Sequence, residues 1–206
     1  MKQDNKYTEP KLEILNDHYK DTFSYIRDYI RIRDSLLLMI LIVVTVMLSQ
    51  IFSPNETKSA ISEFINAKLN LTTRIEVSFI GSVIWFGLFA LIMKYFQTVV
   101  YIERQYNYIH KLEDVISKEF NGEAFTREGK SHLKDYPIFS EWSQIVYRII
   151  FPAILTLVSL IKIIGEWVGR DRVSWLLIFN SLVCGCILIS IIFYLLVVHT
   201  FKKEAK

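Results

Sequence analysis

The residues best able to do chemistry crowd into one stretch, Phe125 to Trp142, where Arg127, Lys130, His132 and Lys134 stand close together. Gly129 and Pro137 interrupt the stretch, so one long helix cannot carry all four. A bent basic segment of this kind is a hook for a phosphate or an anionic headgroup. Arg104 and Lys111, upstream, are further candidate contacts to a cytoplasmic ligand or partner. A plain solvated loop whose cations obey the positive-inside bias explains the same residues. Between Tyr95 and Arg148 seven basic residues stand against eight acidic ones, and the whole chain carries only +3. That balance excludes a general nucleic-acid surface.

Other chemistries lack their residues. Cys184 and Cys186 are two apart in one apolar run, so on a helix they face different ways and make neither a bridge nor a metal site. His18, His110, His132 and His199 are scattered, each an ordinary packed or interfacial residue rather than a ligand. Glu128-Gly-Lys-Ser131 resembles only the end of a phosphate-binding loop, without its first glycine or preceding strand. No intramembrane Asp pair, Ser–His arrangement or HExxH motif is present. The expectation is a protein that is not an enzyme and takes no cofactor or metal.

The elements that must position these residues are helices in a membrane. Of 206 residues 52% are hydrophobic, and much of that content lies in long uninterrupted runs. A helix needs roughly 20 apolar residues to cross the hydrocarbon core. Four runs qualify: 35–52, 77–94, 149–168 and 175–199. Lys94 closes the second and can snorkel to the interface. Lys162 and Glu166 interrupt the third near one end, which predicts an interfacial end rather than a buried ion pair. In lipid only helices satisfy the backbone of such runs, so the fold class is an all-α membrane protein with four transmembrane helices and a helical cytoplasmic bundle. No cleavable signal or lipidation box is evident.

Lys and Arg orient the spans. Seven precede the first span, seven lie in 95–148 and three in the tail 200–206, against five in the two remaining loops. The positive-inside rule then puts both termini and the long loop in the cytoplasm, with 53–76 and 169–174 outside. Ser53-Pro54-Asn55-Glu56 reads as a capping box opening a short interfacial helix from Pro54 to about Asn70.

Segments 1–34 and 95–148 each carry an apolar stripe at helical spacing. In the first the stripe is Leu12, Leu15, Tyr19, Phe23, Ile26 and Ile30. In the second it is Ile102, Tyr106, Ile109, Leu112, Ile116 and Phe120. Neither glycine nor proline occurs between Gly87 and Gly122, so the second span continues as one helix to a glycine cap after Asn121. Two amphipathic helices hung from adjacent spans are natural partners for each other or for copies in an oligomer. Small residues in the spans, Gly81 and Ser82 in the second and Asn180 and Gly185 in the fourth, are candidates for close helix packing in a homo-oligomer.

The segment Tyr101-Ile-Glu-Arg-Gln-Tyr-Asn-Tyr-Ile-His-Lys-Leu-Glu113, with the stretch from Arg127 to Trp142, resembles small four-span proteins of bacterial anti-phage defence systems. The likeness is to the Hailong-type channel effector and the Kiwa membrane component. It implies a homo-oligomer, a tetramer, in the cell inner membrane and in contact with its lipid. A Hailong-like effector binds an oligonucleotide signal and gates a pore. A Kiwa-like component acts through a cytosolic protein partner. The expectation is therefore an oligomeric channel or membrane-depolarising effector gated through its cytoplasmic helices. The alternative is a non-conducting sensor or anchor that recruits and regulates a cytosolic partner.

Overall fold

In the computed structural model the described residues are 5–69, 77–119, 142, 145–168 and 173–204. They are helical almost throughout, and none of them forms a strand. The helices are α1 (Asn5–Phe52), α2 (Pro54–Leu69), α3 (Val77–Glu119), α4 (Phe151–Val168) and α5 (Trp175–Glu204), with a π-helical turn, Val146–Ile150, leading into α4. Four stretches are long and apolar enough to cross a membrane: Leu12–Phe52, Phe79–Ser117, Val146–Val168 and Trp175–Val197. The protein is an all-α, multi-pass membrane protein.

Local chemistry sets the helix ends. Ser53 separates α1 from α2: its N–H still bonds the Ser49 carbonyl at 2.8 Å, and its own carbonyl accepts the first bond of α2, from Thr57 N–H at 3.0 Å. Pro54, which has no N–H to lose, stands first in α2 as expected. Ser174 caps α5, its hydroxyl and its carbonyl both accepting from Leu177 N–H at 3.3 and 3.0 Å. Pro152 stands second in α4, directly after the π-helical turn Val146–Ile150. Just before it, Phe151 N–H reaches back to the Val146 carbonyl in π-type spacing.

Helix α1, Asn5–Phe52, runs unbroken from the amphipathic N-terminal segment through the first span. Helix α3 is likewise continuous and is described to Glu119; its expected cap at Gly122 lies outside the described residues.

The chain divides into two compact units, one of Met1–Asp34 with Gln97–Gln144 and one of Ser35–Phe96 with Ile145–Lys206. In the first unit α1 and α3 pair antiparallel. Tyr19 lies against Glu113, while ten residues further along α1 the ring of Tyr29 lies 4.1 Å from that of Tyr101. Ile26, Ile102, Ile109, Leu112 and Ile116 form the core, so the two sequence stripes do face each other. Tyr106 is part of the predicted stripe but sits partly exposed. The 3.6-residue repeat carries it to the edge of the buried face, where a phenol can keep its hydroxyl in water.

The second unit holds the apolar spans. Trp85, Leu88, Ile92 and Tyr95 of α3, Leu155 of α4, Leu177 and Ile187 of α5, and Ile40 and Met47 of α1 are fully enclosed. Helices α4 and α5 run antiparallel, with Glu166 beside Asn180 and Ser159 beside Cys184. Helices α3 and α5 run parallel, with Met93 beside Ser190 and Phe96 stacked on Tyr194 at 4.1 Å.

Candidate functional site

Among the described residues each unit encloses a carboxylate. In the first unit it is Glu113, only 5% exposed. It sits inside the apolar stripe of α3, four residues after Ile109 and three before Ile116, so helical geometry turns it inward. Tyr19 O–H donates to one of its oxygens at 3.4 Å, and His110 Nδ1 lies 3.3 Å from the other. A buried carboxylate needs such partners, and one of these is supplied across the helix pair. Glu113 and His110 thus tie the polar chemistry of this unit to the pairing of its helices.

The second unit holds a richer cluster. Glu166 of α4 accepts a bond from the Trp85 indole N–H of α3 at 3.0 Å and from Asn180 Nδ2 of α5 at 2.7 Å. Lys162, one turn earlier on α4, places its ammonium 3.6 Å from the same carboxylate. The side chains of Lys162 and Glu166 are only 12% and 11% exposed. The two residues lie near the end of α4, as their place in the run suggests, and form an ion pair that the chain mostly encloses. Lys162 stands one turn before Glu166, so the two neutralise each other within one helix. Trp85 carried no sequence signal, being one aromatic in an apolar run.

Ser159 lies on the same face of α4, three residues before Lys162 and seven before Glu166. Its hydroxyl is buried without a hydrogen-bond partner, as is the Oδ1 of Asn180. The Cys184 thiol reaches only the Ser159 carbonyl, at 3.9 Å. A file of polar groups therefore extends from Glu166 to the middle of α4, among otherwise apolar side chains. Ionisable residues within membrane spans are costly, and a satisfied pair of this kind holds specific helices together. Around the file, Trp167 N–H bonds Ser181 Oγ at 3.1 Å and adds a second link between α4 and α5.

The structure brings together only some of the residues singled out from sequence. Arg104 and Lys111 are both exposed on one face of α3, seven residues apart. Arg127, Lys130, His132 and Lys134 lie outside the described residues. Ser82 and Asn180 are buried against their own chain. Gly81 and Gly185 instead border open space, with nothing within 4 Å of an added Cβ. Among the described residues no group of His, Cys, Asp and Glu could hold a metal ion.

No family model, curated protein or solved structure matches the chain.

Proposed function

We propose that the protein is a homo-oligomeric channel of the cell inner membrane, a depolarising effector gated through the helices that extend into the cytoplasm, in the setting of anti-phage defence. The observation that carries this reading is the continuity of α1 and α3. Each runs without a break from an apolar span into the polar helix pair of the first unit. A ligand or partner acting on that pair acts on the same rigid backbones that cross the bilayer. The distribution of Lys and Arg supports the orientation, with both termini inside. The spans of one chain are filled by Trp85, Leu88, Ile92, Leu155 and Ile187, so the conducting path in this reading runs between copies. Its lining is weakly polar, which suits hydrophobic gating.

Reconstitution into planar bilayers tests the reading. Discrete conductance steps are expected, altered by Arg127→Glu with Lys130→Glu when those residues receive the signal. A chain that inserts and assembles but never conducts, while capturing a cytosolic protein, would replace the channel with a recruiting anchor.

A further inference from the structure

The first unit leaves an ordered pattern on its outer faces. On α1, Ile14, His18, Asp21, Tyr25, Asp28 and Ile32 are all exposed and recur at alternating spacings of four and three. That spacing puts them on one line, away from Tyr19 and the buried Ile26, of which Tyr19 meets Glu113 of α3. On α3, Arg104, Tyr108, Lys111 and Val115 are exposed at the same spacing. The α1 line carries Asp21 and Asp28 on either side of Tyr25, with His18, Ile14 and Ile32 beyond them, and the α3 line alternates basic with apolar residues. Tyr25 is 59% exposed and Tyr108 45%, so each offers apolar ring surface on its line.

The two lines also match in height. Within the chain, Tyr19 lies opposite Glu113 and Tyr29 opposite Tyr101, so a given level along α1 corresponds to a definite level along α3. By that register Asp21 is level with Lys111 and Asp28 with Arg104, each within about one residue, or roughly 1.5 Å of rise. Tyr25 and Tyr108 fall between the two charge pairs. In a ring whose axis runs along this helix pair every copy stands at the same height, so residues level within one chain are level between neighbours.

We infer that the outer face of α1 on one copy docks against the outer face of α3 on the next, with Asp21 meeting Lys111 and Asp28 meeting Arg104 around Tyr25 and Tyr108. The occupant of each face is a second copy of this chain. Two different faces meeting head to tail make a heterologous contact, which closes into a ring when the rotation from one copy to the next divides a full turn. Asp28 pairs with the exposed Arg31 at 3.6 Å, and such surface pairs are weak enough to exchange. This inference rests on the homo-oligomeric part of the proposed function and does not need conduction.

The test is cross-linking in native membranes, with Asp28→Cys and Arg104→Cys in a chain whose Cys184 and Cys186 are replaced by alanine. Mild oxidation should give bands at multiples of the chain mass, and neither single cysteine variant should. The charge reversals Asp21→Lys and Asp28→Arg should weaken the assembly about tenfold, so that on dilution in detergent it dissociates at a tenfold higher protein concentration. Adding Arg104→Asp and Lys111→Asp in the same chain should restore assembly. Circular dichroism reports whether each variant keeps its helices. An assembly that persists in nanodiscs, with no cross-link and no response to charge reversal, overturns the docking faces while the oligomeric reading stands. A monomer under all these conditions overturns both.

Discussion

Trp85 of α3 donates its indole N–H to the carboxylate of Glu166 on α4 at 3.0 Å, across 81 positions of sequence. Asn180 of α5 reaches the same carboxylate, so one side chain joins three helices. Removing it leaves Lys162, Trp85 and Asn180 without their acceptor. We expect Glu166→Ala to lower stability by about 3–5 kcal/mol, the usual cost of breaking a buried pair from one side. Lys162→Met with Glu166→Leu should cost less than Glu166→Ala alone, because no unpaired charge remains. Unfolding in mixed micelles with increasing SDS measures both, and a double variant weaker than the single one would contradict the arrangement.

Ile109 is buried in the helix pair of the first unit, and Tyr106 lies in the interior of α3. Aspartate at Ile109 places a charge in that core, at a cost of several kcal/mol unless the pair opens. Proline at Tyr106 breaks the helix ladder, at roughly 3 kcal/mol or more. Neither residue belongs to the second unit, so membrane insertion should be unchanged while conductance or toxicity changes. Normal conductance from both variants at normal membrane level would separate the helix pair from gating.

Gly81 and Gly185 have room for a side chain within their own monomer. Leucine at either position should therefore leave the fold and its thermal midpoint intact, yet reduce the oligomer seen by native mass measurement if these faces meet between copies. An unchanged oligomer from both variants would place the contacts elsewhere, leaving these glycines toward lipid.

Reporters fused after Lys206 and within 122–134 should read cytoplasm, and one near Lys58 should read outside. The expectation comes from the Lys and Arg asymmetry between the two sets of loops. External labelling of the 122–134 segment in sealed cells would reverse the orientation and remove the cytoplasmic gate.

By itself the sequence determined the helical class, the four apolar spans, the short helix beginning at Pro54 and the inward stripes around Ile26 and Ile109. These depend on local composition and a 3.6-residue repeat, which any stretch of the chain reveals alone. What Lys162 and Glu166 do was decided only in three dimensions. A charge pair near the end of a span looks interfacial until another helix brings a donor such as Trp85 or Asn180 onto it. Glu113 is the intermediate case: its place on the stripe was visible, but its partner Tyr19 lies 94 positions away. The pattern on one helix says which residues turn inward, whereas the cost of burying a carboxylate is met by groups from other helices, whose register no local periodicity encodes.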